Sequence, residues 1–265
     1  MNCRQSVALA MALVTTAGFQ ARAVVTEVNV SVEPKVSSAF VWRGEILNDE
    51  WCFQPTLGLQ GSNFSLRAFG NWNLTSVTNS PKNTRVDTTL QYMTTTDSQI
   101  LKAGLVAYIY RDSPSQGPDD TFEVYVRDTV DVLLLPSLAV YYDFSDIQGF
   151  YATFSLAHGL TLVEDTLALD VRTTLGAGDK KYNEAVFGQP EEDPSADIEA
   201  TDVDRTALVD LTVEVSLPLQ PRDGLTITPA VKYMSLMDSN IRDAADRTDQ
   251  DRDIFYYTLA VEYAF

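Results

Sequence analysis

The sequence predicts an all-β protein, a twelve-stranded antiparallel transmembrane β-barrel with short periplasmic turns and longer extracellular loops. Large apolar side chains recur at every second position in twelve stretches of the chain. A period of two is typical of a β-strand with one apolar face, and roughly ten residues is the strand length that crosses a bilayer at a tilt. Short and long connections alternate between these stretches, and the chain ends on an aromatic residue, Phe265.

The N-terminus predicts a cleaved secretory signal peptide over residues 1–23, which leaves residues 24–265 as the barrel domain. Arg4 is followed by a short apolar run from Val7 to Phe19, and Ala21-Arg22-Ala23 offers a small-x-small cleavage site. An unusually apolar first helix is the alternative. No run of about 18 apolar residues follows, so we expect no membrane-spanning helix.

The charge and the cysteines narrow the partners and the type of domain. The chain carries 19 Lys and Arg against 37 Asp and Glu, a formal charge of -18, which makes it a poor partner for nucleic acid. Cys3 leaves with the signal peptide, and Cys52 alone cannot form an internal disulfide. We expect Cys52 to be a small residue at a strand end, with a reactive thiol as the alternative.

The twelve stretches follow one another along the chain. Their even number places both chain ends on the same side of the membrane, as in bacterial barrels. In chain order, the stretches cover residues 28–42, 53–59, 64–74, 86–92, 101–109, 122–130, 138–144, 150–156, 167–175, 207–217, 225–233 and 255–265.

The connections support this topology independently. If the first strand starts at the periplasm, both of the longest connections, 177–205 and 237–252, lie outside, as outer-membrane barrels require. The other outer connections are 44–51, 75–84, 111–120 and 145–149, and the inner ones are 61–63, 94–99, 131–135, 157–165 and 218–224. The inner turn 157–165 is longer than expected, and the outer loop 145–149 is short. A secreted β-sandwich is the soluble alternative, and it predicts protein in the supernatant and no heat-dependent gel shift.

Aromatic residues near the strand ends predict two interfacial girdles. The outer girdle would contain Trp42, Trp72, Tyr108, Tyr110, Tyr142 and Phe144, and the inner one Phe64, Tyr92, Tyr263 and Phe265. A soluble sandwich would scatter these residues.

The last strand carries a resemblance to a known family. Val261, Tyr263 and Phe265 share one face, and the chain stops on the phenylalanine. This arrangement resembles the C-terminal signature of outer-membrane β-barrel proteins. The resemblance implies assembly by the barrel assembly machinery into the outer membrane of a Gram-negative-type bacterium, with outer-membrane lipid around the barrel.

A second resemblance lies soon after the signal peptide. The stretch "SSAFVWRGE" places Ser38, Phe40, Arg43 and Gly44 in a Ser-x-Phe-x-x-Arg-Gly order. It resembles the first strand of an uncharacterised proteobacterial porin-like family that carries a Ser-x-Tyr/Phe-x-x-Arg-Gly motif. The resemblance implies a barrel but no known substrate.

The more polar faces of the strands are expected to line the lumen, where acids and bases are mixed. Two readings stay open: the charges form ion pairs that fill the lumen, or they line a narrow hydrated pore. The predicted lining residues are Arg43, Arg67, Asp87, Lys102, Glu123, Arg127, Asp170, Arg172, Asp210, Glu214, Lys232 and Glu262, with Glu33 and Lys35 on the same face.

The outer connections are acidic, which raises the question of metal binding. Asp249, Asp251 and Asp253 alternate and could hold a divalent cation through carboxylate oxygens. They lack the glycine and the distal glutamate of an EF-hand loop. Solvated, mutually repelling loops are the alternative. No other cofactor is expected.

These observations favour a passive porin-like channel for small hydrophilic solutes or ions, with a preference for cations because of the acidic loops. The alternative is a closed barrel with a structural or surface-binding role through those loops. An enzyme is not expected, because the only histidine, His158, falls in an inner turn, away from any outer catalytic site.

Overall fold

The computed structural model describes residues 28–75, 83–110, 120–188, 203–247 and 250–265. The chain folds into a closed antiparallel β-barrel of twelve wall strands. The predicted signal segment 1–23 and Asp249 lie outside the described residues. None of the helices in the described part of the chain is long and apolar enough to cross a membrane.

The first two wall strands are each built from two pieces. Pro34 divides the first, and Gln54-Pro55 divide the second, because proline cannot donate to a β-ladder. The first wall strand is β1 (Asn29–Glu33) with β2 (Lys35–Ser37), and the second is β5 (Cys52–Phe53) with β6 (Thr56–Gly61).

The remaining ten wall strands run as single elements, in chain order around the barrel. They are β7 (Phe64–Asn73), β8 (Asn83–Thr95), β9 (Gln99–Tyr110), β10 (Thr121–Val130), β11 (Ser137–Asp143), β12 (Phe150–Val163), β13 (Leu167–Gly178), β14 (Ala207–Ser216), β16 (Leu225–Leu236) and β17 (Asp253–Ala264).

The barrel closes between the last strand and the first. β17 pairs with β16 on one side and with β1 and β2 on the other, where Ala264 lies opposite Ser31 and Thr258 opposite Ser37. Closure pairs both edges of the sheet in the described part of the chain, so the backbone groups of the wall can bond to one another even in lipid.

Side chains alternate across the wall with their apolar members outside. On β10, Phe122, Val124 and Val126 are exposed, whereas Glu123 and Tyr125 are buried inside. Exposed large apolar residues recur on the outer face of strands all around the barrel. A water-soluble sandwich buries such residues, so this outer belt identifies a transmembrane barrel.

One inner turn, between β12 and β13, is shorter than the sequence predicts. β12 continues to Val163, so the turn before β13 covers only residues 164–166. His158 therefore lies within β12, exposed and paired in register with Val171, and its predicted place in an inner turn is wrong. His158 interrupts the apolar residues on the outer face of β12, but the β12–β13 ladder continues through it. The inner connection after β14 contains one short strand, β15 (Leu219–Arg222).

In the part of the chain that the structure describes, the outer connections contain two helices and a hairpin. The helices are α1 (Lys180–Phe187) and α2 (Ser239–Arg247), and they pack their apolar sides on the outer strand ends. The hairpin consists of β3 (Phe40–Trp42) and β4 (Glu45–Asn48), which pair only with each other. The prediction of one continuous first strand over 28–42 is therefore wrong beyond Ser38.

Candidate functional site: the barrel lumen and its inserted hairpin

The hairpin Phe40–Asn48, called here the lumen hairpin, folds into the barrel rather than outward from it. Ala39 and Phe40 at its base are buried. Near its tip, a Cβ added to Gly44 would lie 3.1 Å from side-chain atoms of Val209 and Leu236. The tip therefore packs directly against β14 and β16.

Local chemistry explains why the chain leaves the wall after Ser38. The Ser38 amide donates to the Tyr257 carbonyl at 2.9 Å, and its hydroxyl accepts from the Tyr257 amide at 2.9 Å. The Ser37 hydroxyl donates to the Ala39 carbonyl at 2.6 Å, which turns the chain inward. Arg43 and Gly44 then adopt φ of 52° and 85°, the successive positive values of a tight two-residue hairpin turn.

Arg43 at the tip forms the central ion pair of the lumen. Its guanidinium donates to both carboxylate oxygens of Glu123 on β10, at 2.6 and 2.7 Å. The Tyr108 hydroxyl on β9 donates to the same carboxylate at 2.7 Å and accepts from Arg43 at 3.3 Å. Side chains of Arg43 and Glu123 are only 8% and 2% exposed, so each charge depends on the other for neutralisation.

Aromatic rings enclose this guanidinium. The Arg43 carbon Cζ lies 4.5–4.6 Å from the ring centroids of Trp42, Tyr141 and Tyr151. Such distances place the cation over the negative faces of the rings, where a desolvated cation is attracted by about 2 kcal/mol. The tip is thus held by electrostatic contacts with β10, β11 and β12.

A second buried cation, Arg85 on β8, also packs on Trp42. It donates to Asp87 at 2.6 and 2.9 Å, and its Cζ lies 4.2 Å from the Trp42 centroid and 4.4 Å from that of Tyr108. Sequence reasoning missed Arg85. The available signal was its period-two relation to Asp87, which places both residues on the same face of β8.

The hairpin contacts opposite sides of the barrel. Arg43 and Trp42 face β9 and β10, the fifth and sixth wall strands, while Gly44 faces β14 and β16, the tenth and eleventh. On that far side, the Tyr151 hydroxyl donates to Asp210 at 2.7 Å. The hairpin therefore crosses the lumen near its outer end.

Beside the lumen hairpin, the outer helices form an apolar cluster that closes part of the outer end of the barrel. Tyr182 and Phe187 of α1 and Ile241 of α2 are buried against Met234 on β16, together with Ala39. The hairpin residues Val41 and Ile46 pack against the same cluster. On this side of the barrel, the outer end is closed by side chains rather than filled with water.

The lumen on the inner side of the hairpin remains hollow. Two cavities, of about 530 and 460 Å³, lie there and share Lys102, Arg127 and Tyr141 in their linings. The first reaches Gln54 and Arg67, and the second reaches toward the inner turns at Leu135. A third, of about 450 Å³, lies at the inner end beside Glu262.

The predicted lumen residues fall into three groups. Arg67, Asp87, Lys102, Arg127, Arg172 and Asp210 line the first two cavities, and Glu262 lines the third. Glu123 forms an ion pair with Arg43, and Glu214 forms one with Lys232 at 2.7 Å. Asp170 lies opposite Gly159 in the β12–β13 ladder. Arg43 also lines the second cavity, but it does so from the lumen hairpin rather than from the first wall strand.

The interfacial girdles are also only partly as expected. Trp42 and Tyr108 pack on each other inside the barrel, with centroids 5.4 Å apart, and Tyr110 lies near Arg85, so none of the three faces lipid. At the inner end, the rings of Phe64 and Tyr92 are exposed and 5.1 Å apart.

The predicted metal site finds no support in the described residues. Asp253 accepts from the Tyr233 hydroxyl at 2.9 Å and lies 3.6 Å from Arg242. No group of three His, Cys, Asp or Glu side chains suited to a metal ion occurs in the part of the chain that the structure describes. Asp249 lies outside that part, so the three-aspartate site stays a prediction.

Cys52 and the C-terminal aromatics lie at strand ends. Cys52 is buried at a strand end, with its sulfur 3.6 Å from the Ser37 carbonyl oxygen. Tyr263 and Phe265 are exposed at the inner end, with ring centroids 4.5 Å apart.

Comparisons with known proteins return similar barrels of low sequence identity. No family profile and no curated protein matches the chain. Among solved structures, the KdgM porin aligns over 89% of this chain and 99% of its own, with 13% identity and a TM-score of 0.48. LpxR from Salmonella typhimurium aligns over 88% and 99%, with 8% identity and a TM-score of 0.48. An outer-membrane channel from Pseudomonas putida F1 aligns over 90% and 95%, with 9% identity and a TM-score of 0.47.

Proposed function

We propose that this protein is an outer-membrane channel that passes small hydrophilic solutes passively through a lumen narrowed by the lumen hairpin. The observation that carries the proposal is the polar interior. Two cavities of about 530 and 460 Å³ share lining residues inside a transmembrane barrel. A hollow lumen lined by charged side chains and hydroxyl groups accommodates water and small solutes. A barrel with a purely structural role does not require such a polar hollow lumen.

The cellular location follows from two further features. The outer face is apolar around the barrel, which suits a lipid environment. The signal segment 1–23 and the terminal residues Val261, Tyr263 and Phe265 favour export and insertion by the barrel assembly machinery of a Gram-negative-type bacterium. The structural comparisons add only the likeness of fold.

The lumen and the outer connections favour opposite solute charges. The acidic outer connections would concentrate cations at the mouth, and on the sequence alone they suggest a cation preference. The cavity linings carry more cations than acids, and the narrow part of a pore dominates its selectivity. The class of solute therefore depends on the lining of the lumen.

Osmotic swelling of liposomes tests the channel directly. Liposomes that contain the folded barrel should swell in an isotonic solution of a small polyol such as sorbitol, and protein-free liposomes should not. Solutes larger than the cavities should give no swelling. A barrel that is folded, as shown by its heat-dependent gel shift, and that gives no swelling with any small solute would contradict the proposal.

A second candidate function is a closed barrel that binds a partner through its outer connections. One observation favours it: the lumen hairpin and the helices α1 and α2 close much of the outer end. Replacing residues 189–202 by a short Gly-Ser linker separates the two candidates. A channel should keep its swelling rate after this change, while a surface-binding protein should lose its ligand and show no swelling before or after.

A further inference from the structure

Five cationic side chains dominate the hollow lumen on the inner side of the hairpin. Lys35, Arg67, Lys102, Arg127 and Arg172 line the two cavities there. Arg43 also borders the second cavity, but Glu123 neutralises it. The chain as a whole carries a charge of -18, so a basic interior runs against its composition.

The five cations outnumber the two acids that border these cavities, Asp87 and Asp210. Asp87 accepts two hydrogen bonds from Arg85, at 2.6 and 2.9 Å. Asp210 accepts from the Tyr151 hydroxyl at 2.7 Å and from Thr212 at 3.2 Å. The cavities therefore keep a net positive charge.

Lys102, Arg127 and Arg172 form the centre of this charge. Lys102 and Arg127 are directly opposite each other in the β9–β10 ladder, and both line the second cavity together with Arg172 of β13. None of the three forms an ion pair with a carboxylate among the described residues. Glu214, which is opposite Arg172 in the β13–β14 ladder, is instead paired with Lys232 at 2.7 Å.

Such a cluster costs stability unless an anion joins it. Like charges directly opposite on neighbouring strands destabilise a sheet, and the interior of a barrel screens them less than open water does. Arg127 donates to the Tyr141 hydroxyl at 2.7 Å, which fixes its side chain toward the cavity but neutralises nothing. A bound anion would therefore reduce the repulsion among these three cations.

We propose that Lys102, Arg127 and Arg172 bind a small hydroxylated organic anion, one that carries a carboxylate or phosphate group, on its way through the lumen. The cavity volume of about 460 Å³ suits a small molecule. Guanidinium groups match both oxyanions in geometry. Hydroxyl groups of Thr129, Ser137, Thr153 and Ser155 also line the cavity and can hydrogen-bond the hydroxyls of such a solute.

This anion site gives the solute class of the proposed channel, and the passage of the anion through the lumen rests on that proposed function. Binding and conduction are measured separately, so the two can fail independently. The binding probe is gluconate, and sorbitol is its uncharged counterpart of similar size and hydroxyl content. Inorganic phosphate tests the alternative oxyanion.

The experiment is calorimetric titration of the folded full barrel in detergent at low salt. Gluconate or phosphate should bind, sorbitol should not, and added salt should weaken the binding. The single variants Lys102→Gln, Arg127→Gln and Arg172→Gln should each raise the Kd by about tenfold, the usual effect of losing one charge-assisted hydrogen bond. Lys181→Gln, a loss of one exposed positive charge on α1, should leave the Kd unchanged.

Two further measurements keep the result decisive. Lys102→Arg keeps the positive charge and should therefore bind gluconate more tightly than Lys102→Gln does. Every variant should keep the heat-dependent gel shift of a folded barrel. In planar bilayers, the wild-type reversal potential in a salt gradient should indicate anion preference, and Lys102→Gln should reduce it. Tighter binding of phosphate than of gluconate would assign the site to phosphorylated solutes, and the reverse to carboxylated ones.

The outcomes separate the site from the channel. Sorbitol and gluconate binding equally, or gluconate binding unaffected by all three variants, would overturn the anion site even if the barrel conducts. A barrel that binds gluconate through the three cations but never conducts would uphold the site and overturn the proposed channel.

Discussion

At the scale of single residues, Arg43 links the lumen hairpin to the wall. Its charge is balanced by Glu123 and enclosed by the rings of Trp42, Tyr141 and Tyr151. The sequence predicts that Arg43 and Glu123 both face the lumen, since both fall on polar faces. It does not predict that they pair, because 80 positions separate them and the pairing depends on the inward fold of the hairpin.

Replacing Arg43 should destabilise the barrel strongly. In Arg43→Met the Glu123 carboxylate stays buried without its partner, and removing one member of a buried ion pair costs about 3–5 kcal/mol. Urea unfolding of the detergent-solubilised protein measures this loss. The matched control is Lys180→Met, which breaks the exposed Lys180–Asp204 pair of 2.6 Å and should cost less than about 1 kcal/mol. Equal losses in the two variants would show that Arg43 is not a structural anchor.

Glu45, on the other strand of the hairpin and outside the wall strands, gives the fold a pH dependence. Burial raises the pKa of Glu45 from 4.5 to about 7, and the positive charge of Arg85 only partly opposes this. The folded protein therefore binds a proton that the unfolded chain has released between these two pH values. The contribution of Glu45 to stability is greatest below about pH 4.5 and is lost as the pH rises through about 7.

The comparison of wild type with Glu45→Gln isolates this effect. The unfolding free energy of the wild type, relative to the variant, should decrease from about pH 5 to about pH 7 and then level off near pH 8. Urea unfolding at each pH provides the measurement. A difference that stays constant over the range would mean that Glu45 keeps its ordinary pKa in the folded protein.

At the scale of elements, the regular wall strands could be predicted and the inserted hairpin could not. Alternation of apolar and polar residues places the strands and tells their two faces apart, and it does so for β7, β9 and β10. The same alternation continues through "FVW" in the lumen hairpin, so the pattern alone extends the first strand too far. The Arg43-Gly44 pair, flanked by apolar residues, is the available turn signal.

The predicted end of β12 is also wrong, because tertiary pairing extends the strand. The stretch around His158 and Gly159 resembles a turn in composition, yet β12 extends through it to Val163. Cross-strand pairing with β13 along most of its length holds the segment in the wall. Pairing between strands is a tertiary interaction, so local residue types do not reveal it.

The C-terminal strand β17 allows a test of the assembly signal. Phe265→Ala should reduce the amount of heat-modifiable barrel in outer-membrane fractions several-fold, because the terminal aromatic is the feature that resembles the recognition signature. Phe255→Ala is the matched control, since Phe255 is an equally exposed phenylalanine at the opposite end of the same strand. Immunoblots of fractionated cells provide the measurement, and equal loss in both variants would refute a special role for the terminus.

At the scale of the whole molecule, the barrel has an apolar outer belt, which suits lipid, and a polar interior, which suits the solutes of the proposed channel. The belt follows from composition and period, which is why the fold class could be predicted from the sequence. The net charge could not predict the lumen, because the chain is acidic while the cavity linings are basic.

The belt makes a quantitative prediction. Leu105 lies midway along β9 and is exposed on the outer face, so Leu105→Arg should destabilise the folded barrel in lipid vesicles by about 2–4 kcal/mol. Leu133→Arg is the control, since Leu133 is exposed in the inner turn between β10 and β11 and should cost at most about 1 kcal/mol. Chemical unfolding from vesicles gives both values, and equal costs would argue against a bilayer around the barrel.

The measurement that tests the central claim most directly is single-channel current across a planar lipid bilayer, for the wild type and for a variant in which a short Gly-Ser linker replaces Phe40–Asn48. A channel narrowed by the lumen hairpin should give small discrete steps in the wild type and larger steps in the variant. Folded, inserted protein that stays silent in both forms would contradict the account and favour a closed barrel with a role at its outer surface.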